Sequence, residues 1–288
     1  MPVTTLSLGE RTFDLRHRAL VMGILNRTPD SFYDRGATFG LDDLLRRAGF
    51  LVDEGADLLD VGGVKAGPGP EVSEEEELDR VVPAIEAVHA RFDAPLSIDT
   101  WRAAVAAEAY AAGAVMGNDI SGFADPGYLR AAAVAGATVV ATHIRLRPRV
   151  PDPEPVYEDV VEEVAAFLLA RARQAEDAGI PPERIVLDAG LDLGKTATQS
   201  LTLLRSSDRL AGLGYPLLLS ASNKTFLGKL LDLEIDARRD ASVAATAIGV
   251  ALGCRIVRVH EVGAHRQACR VLAAISASAA REPVSPPR

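Results

Sequence analysis

The stretch Leu20-Val21-Met22-Gly23-Ile24-Leu25-Asn26-Arg27-Thr28-Pro29-Asp30-Ser31-Phe32-Tyr33-Asp34-Arg35-Gly36 decides the architecture of this chain. It opens as an apolar run of strand length and ends on an amide side chain at Asn26. A polar loop punctuated by Pro29 and Gly36 follows, and then a helical pattern. A strand buried on both faces of a parallel sheet reads as such a continuous hydrophobic run. Asn26 therefore marks where the chain leaves the sheet, and in parallel α/β proteins ligands bind at that edge.

The same theme recurs along the chain. Apolar runs at 57–63, 95–100, 115–120, 138–144, 185–190, 216–222 and 255–261 join 20–26 to make eight. Helical patterns lie between them. Leu44, Leu45, Ala48, Leu51 and Val52 form one apolar stripe; Val160, Val161, Val164 and Leu168 form another; Ala268, Val271, Leu272 and Ile275 form the last. Alternating β and α elements imply a parallel sheet with right-handed crossovers. Eight units in 288 residues match an α/β fold of the (β/α)8 TIM barrel type, for which about 250 residues is typical. An open doubly wound sheet is the competing architecture, but the G-x-G-x-x-G loop expected after its early strand is missing.

Residues 4–15 alternate apolar and polar around Gly9-Glu10, which predicts a short N-terminal β-hairpin. Ser73 followed by Glu76 reads as a capping box, and the run Glu74 to Glu77 as a favourable first helical turn on a solvated face rather than a metal site. Residues 1–280 are expected to form a single barrel domain. The tail 281–288, with three prolines, is expected to be disordered.

Composition narrows the class. A hydrophobic content of 48% is ordinary for a globular enzyme with a sizeable core. The net charge of −9 argues against a nucleic-acid surface, yet a few local cations can still hold an anionic small substrate. Cys254 and Cys269 fall inside apolar or helical patterns and read as buried thiols in a reducing compartment. Met1 to Ala19 lack the apolar core of a signal peptide, and no run reaches the roughly 18 apolar residues of a membrane span. A cytoplasmic protein with no membrane partner is the simplest reading.

In a barrel the C-terminal strand ends form the functional face. Here they present Asn26, Gly62 with Gly63, Asp99, Asn118 with Asp119, His143, Asp188, Ser222 with Lys224, and Arg258 with His260. Asp99, Asn118 and Asp188 offer acceptors, and Asn118 an amide donor, for a flat heterocycle with adjacent N–H groups and a carbonyl. Lys224, Arg258 and His260 add positive charge or donors suited to a phosphate or anionic leaving group. Arg258 also suits stacking on an aromatic ring. Asn26 is a neutral oxygen ligand able to complete the shell of a Mg2+ ion carried on a diphosphate.

Seven segments, in order, then resemble the dihydropteroate synthases, the pterin-binding enzymes of folate synthesis. They are Asn26-Arg27-Thr28-Pro29-Asp30-Ser31-Phe32, Asp60-Val61-Gly62-Gly63, Ser97-Ile98-Asp99-Thr100, Asn118-Asp119-Ile120-Ser121-Gly122, Asp188 with Gly194-Lys195, Ser222-Asn223-Lys224, and Arg258-Val259-His260. The resemblance implies a barrel that joins hydroxymethyl-dihydropterin diphosphate to p-aminobenzoate with release of pyrophosphate. By the same resemblance Asp99, Asn118, Asp188 and Lys224 hold the pterin, Arg258 stacks on it, and Asn26 and His260 hold the diphosphate with Mg2+. The catalytic set is then Asn26, Lys224, Arg258 and His260. Thr225, at the start of a helix, resembles the family's contact to the amine's carboxylate. A homodimer is also implied, although the Ala-rich stretch Ala241 to Ala251 fits ordinary helix packing equally well.

The departures fall on one side of this site. The family's Glu-Ser-Thr-Arg-Pro loop is Val64-Lys65-Ala66-Gly67-Pro68 here, and its Gly-Phe-Gly is Asp192-Leu193-Gly194. Arg27 replaces a common Val and Asn223 a common Arg. The matched residues belong to the pterin and diphosphate half; the changed ones belong to the amine half and its closing loops. Arg27, Tyr33 and the Val64–Pro68 loop also resemble a divergent second synthase-like paralogue of actinobacteria, regarded as lacking the normal activity. Two readings follow: an active synthase, or a paralogue that binds pterin diphosphate but is inactive with p-aminobenzoate or uses another amine. A pterin-binding methyltransferase barrel or a pure ligand-binding role is a third, against which the diphosphate set Asn26, Arg258 and His260 counts.

Overall fold

The computed structural model describes residues 3–27 and 40–279. The loop segment Thr28 to Phe32, Tyr33 and the tail 281–288 lie outside the described residues. Thr5–Leu8 (β1) and Arg11–Asp14 (β2) form the expected antiparallel hairpin, turning at Gly9-Glu10. Eight parallel strands then close a barrel: Leu20–Asn26 (β3), Leu58–Gly62 (β4), Leu96–Asp99 (β5), Met116–Asp119 (β6), Thr138–Thr142 (β7), Ile185–Asp188 (β8), Leu217–Leu219 (β9) and Cys254–Val259 (β10). Each pairs with its sequence neighbour, and β10 pairs with both β9 and β3 to seal the ring. Helices lie between the barrel strands, so the chain is a TIM barrel.

Strand alternation builds two cores from one sequence pattern. On β3, Val21 and Leu25 face the helices, while Leu20 and Met22 face the barrel axis beside Leu58, Met116, Val186, Leu218 and Ile256. Leu6 and Leu8 of the hairpin join this inner core, so the hairpin plugs the N-terminal end of the barrel. Thr138 Oγ1 donates to the Ser7 carbonyl, and Arg184 Nη2 donates to the Gly9 carbonyl at 2.8 Å, pinning the plug. Two residues further along each inward row the side chains turn polar. Ile256 gives way to Arg258 and His260, Leu58 to Asp60, Met116 to Asn118, and Val186 to Asp188.

Two helical stripes are where the sequence puts them: Leu44, Ala48, Leu51, Val164 and Leu168 are buried. The last stripe is out of phase. The helix Val262–Ala279, packed on the helix Arg239–Ala251, buries Val262, His265 and Cys269 and rests Leu272 against the core, leaving Val271 and Ile275 exposed. Ser73 caps the helix Glu74–Arg91, its Oγ accepting from Glu76 N at 3.1 Å, but the Glu76 side chain pairs with Arg80 instead of closing the box. Glu77 departs from the expected solvated face. It is fully buried, and Arg102 Nη1 donates to its Oε2 at 2.5 Å. Both cysteines are buried and free, as expected. Among the described residues no helix is long and apolar enough to cross a membrane.

His265 gives this packing a measurable signature. It is fully buried with its Nδ1 2.9 Å from Thr246 Oγ1. Burial, reinforced by Arg239, lowers its pKa to about 4. An unfolded imidazole titrates near about 6.5. Between these values the unfolded chain holds a proton that the folded chain does not, so stability falls as pH drops through that window. His265→Gln should flatten this dependence by up to about 1.4 kcal/mol per pH unit, read from urea unfolding at stepped pH.

Candidate active site

The polar ends of the inward rows surround a cavity of roughly 490 Å³ at the C-terminal mouth. Asn26, Asp99, Lys224, Thr225, Arg258 and His260 all stand on its wall. Asn118 and Asp188 are buried among the same strand ends, Asn118 joined to Asp60 and Asp188 within the influence of Lys224 and Arg258. His143 is turned away: its Nδ1 meets Lys195 Nζ at 2.9 Å and its ring sits edge-on to Phe167.

Arg258 ties the ring together. Its Nε donates to Asp60 Oδ2 and its Nη2 to Asp99 Oδ2, both at 2.6 Å. Asn118 Nδ2 donates to the same Asp60 oxygen at 3.1 Å. Burial opposes the guanidinium charge, but Asp60 and Asp99 outweigh it and hold the pKa above its usual value. Burial pushes the Asp99 carboxyl up while Arg258 pulls it back. Asp60 belongs to a quoted segment, yet sequence reasoning gave it no role. The only signal was an acid two residues beyond Leu58 on an inward row, with an arginine on a strand two places away.

Two expected cations contribute differently from the sequence reading. Arg258 keeps its charge but shares it with two carboxylates. His260 is neutral, because burial and the nearby Arg258, Arg47 and Lys224 lower its pKa to about 3. Its backbone N–H donates to Ser222 Oγ at 3.2 Å, and that hydroxyl lies 3.0 Å from Nδ1. The neutral ring thus meets the Ser222 hydroxyl at Nδ1 and brings no positive charge to the cavity. Lys224 remains as a cavity cation and favours the charged forms of Asp99 and Asp188. Burial raises the Asp188 pKa, against a hydrogen bond from Gly190 N to its Oδ1 at 2.8 Å.

The loops differ most from expectation. Asp192 Oδ2 accepts from Thr225 N at 2.5 Å, and its Oδ1 accepts from Phe226 N at 3.2 Å. The start of the helix Thr225–Leu231 is thus already bonded to a carboxylate of this chain, where Thr225 was expected to meet that of a ligand. Lys195, also given no role beforehand, is buried and donates to the carbonyls of Gly190 and Leu193 at 2.8 and 3.0 Å. Arg27 turns its side chain to the Arg80 carbonyl at 2.7 Å. Further along the loop that follows β4, Arg102 holds the Val72 and Ser73 carbonyls at 2.6 and 3.1 Å, just before the helix Glu74–Arg91. A Cβ added at Gly67 would meet nothing within 4 Å.

Among the described residues no group of three His, Cys, Asp or Glu is placed to hold a metal ion. The donor set fits a different arrangement. Asn26 is a neutral oxygen donor on the cavity wall beside Asp99, and Mg2+ is commonly held by one or two protein ligands together with substrate phosphates.

The sequence matches the family of pterin-binding enzymes over residues 22–260. It is 43% identical over 273 residues to a dihydropteroate synthase of Synechocystis, covering 94% of each chain. It is also 43% identical over 264 residues to the Mycobacterium leprae protein named inactive dihydropteroate synthase 2, covering 90% of this chain and 91% of that one. The fold superposes on the Xanthomonas albilineans dihydropteroate synthase solved with 4-aminobenzoic acid at a TM-score of 0.87, with 40% identity over 95% of this chain and 98% of that one.

Removing one partner of a buried ion pair typically costs about 3 kcal/mol or more. Asp60→Asn keeps the shape and removes one of the two charges on Arg258. It should lower the unfolding free energy by about that amount in urea titration.

Proposed function

The chain belongs to the family of pterin-binding enzymes, and from that premise we propose a dihydropteroate synthase-type transferase of folate biosynthesis. Its reaction joins 6-hydroxymethyl-7,8-dihydropterin diphosphate to an aromatic amine, p-aminobenzoate in the family, and releases pyrophosphate. One observation carries the reading: acceptors at Asp99, Asn118 and Asp188 gather around a fixed guanidinium at Arg258, with Lys224 beside them. In this reading Asp99, Asn118 and Asp188 take the N–H groups of the pterin, Lys224 donates to its carbonyl, and Arg258 lies against its face.

Asn26 and His260 receive the diphosphate, with Asn26 as the protein ligand to the Mg2+ that arrives on it. The metal supplies charge stabilisation to the departing diphosphate. The C–O bond of the methylene breaks with its electron pair leaving on pyrophosphate, the amine nitrogen forms the C–N bond, and an amine proton passes to solvent. An arylamine is neutral at pH 7, so positioning and leaving-group electrostatics carry the step. The reading includes one domain over residues 1–280, a cytoplasmic location and a homodimer. The exposed Ile248, Val271 and Ile275 on adjoining helices support the dimer.

A second reading keeps the pterin diphosphate site but not p-aminobenzoate coupling. It is favoured by Asp192 on the Thr225 and Phe226 amides and by the missing Thr and Arg at Ala66 and Gly67.

Pyrophosphate release from pterin diphosphate, p-aminobenzoate and Mg2+ tests the first reading. Tight calorimetric binding of pterin diphosphate without turnover supports the second, and no pterin binding overturns both. Asp188→Asn should abolish pterin binding, and retained binding would refute its assigned role. Ala66→Thr with Gly67→Arg should raise turnover if loss of the closing side chains limits the enzyme; a Cβ at Gly67 meets nothing within 4 Å.

A further inference from the structure

Resting on that pterin-diphosphate reading, we propose that Asp192 is a specificity residue that selects a second substrate without a carboxylate: an arylamine whose far end is an uncharged hydrogen-bond donor such as a carboxamide. The cavity has two kinds of wall. One carries Asn26, Asp99, Arg258 and His260; the other carries Leu193 and loop residues such as Val64 and Pro68, apolar surfaces suited to an aromatic ring. Asp192 and Thr225 stand on this cavity too.

Asp192 is fixed there from both sides. Its carboxylate accepts from Thr225 N and Phe226 N, and its own N–H donates to Ser200 Oγ at 3.2 Å. Its backbone adopts φ +67°, a left-handed conformation that Asp tolerates better than most side chains. The amide hydrogens that could receive a ligand anion at this wall are therefore paired with an anion of the protein. A substrate carboxylate here would meet like charge, whereas a carboxamide N–H could donate to the remaining acceptor capacity of the Asp192 oxygens. Lys65, on the loop after β4, is a basic side chain on the same cavity, so the charge test below reads the balance between it and Asp192.

The test compares p-aminobenzamide with p-aminobenzoate, which differ in charge and little in shape. The protein, Asp192→Asn and Asp192→Gly are each given pterin diphosphate and Mg2+, and pyrophosphate release is followed. Calorimetry measures each amine on protein holding hydroxymethyl-dihydropterin and pyrophosphate, so the ratio is readable without turnover. Asn keeps an oxygen acceptor and the left-handed backbone while removing the charge; Gly suits the backbone and uncovers both amides. The protein should prefer the carboxamide at least about tenfold in kcat/KM or Kd, and both variants should improve p-aminobenzoate about tenfold or more. Equal or better use of p-aminobenzoate by the unaltered protein overturns the inference. So does a ratio unchanged by both substitutions, or an absence of amine binding to all three proteins. Pterin diphosphate affinity, measured separately, tells the failures apart. If it is retained in the three proteins, only this inference falls; if the unaltered protein lacks it, the parent reading falls as well.

Discussion

A guanidinium inside a closed barrel has little water to answer its charge, and a buried charge persists only where it is paired and hydrogen-bonded. Arg258 meets that requirement with Asp60 and Asp99, which places one side chain of β10 against β4 and β5 at once. Asn118 of β6 joins through the same Asp60 oxygen, so four strands share one polar cluster. The orientation of the site follows from this cluster. The guanidinium plane is set by two carboxylates and forms a fixed surface for a flat ligand. Its charge is largely answered within the protein, and Lys224 adds a second basic side chain on the same cavity.

Much of the barrel was legible because parallel strands and amphipathic helices follow local periodicity. Eight apolar runs with polar C-terminal ends fix the strand count and the functional face together. The strand-end residues also reach the mouth, because alternation continues past the apolar core: Ile256, Arg258 and His260 lie on one inward row, as do Leu20, Met22, Ile24 and Asn26. What escaped the sequence depends on contacts across the chain. Asp60 sits within an apolar run, and nothing local distinguishes an acid awaiting Arg258 from one capping a loop. Sequence left His260 open as a charge or a donor, because its neutrality comes from burial beside three cations on other elements. Glu77 reads as the fourth member of an acidic turn, and only Arg102, 25 positions on, explains why it is buried. The last helix was misphased because Val271 and Ile275 are apolar without belonging to the core of a single chain.

The differences from the synthase pattern are concentrated where the fold can absorb them. Residues on the inward rows are constrained by neighbours on several strands, and altering one strands a partner. The loop that follows β4 is held instead at points beyond residue 68. Arg102 grips Val72 and Ser73, while Arg149 Nη2 donates to the Pro70 carbonyl at 2.5 Å. A site for two substrates can therefore change one half while the other stays in place, provided the halves rest on different elements.

The Asp192 loop shows how such a change is accommodated. Lys195 reaches the carbonyls of Gly190 and Leu193, and Tyr157 Oη donates to the Gly194 carbonyl at 2.8 Å. None of these bonds uses the side chain of residue 192 or 193, so the loop keeps several anchors besides the Asp192 carboxylate's bonds to Thr225 N and Phe226 N. The left-handed backbone at 192 restricts the choice chiefly to Gly, Asn and Asp. Of these, Asp alone brings a fixed negative charge. A single position can then change both the charge of one wall and the pairing of the amides that open the helix behind it, while the Arg258 cluster stays as it was.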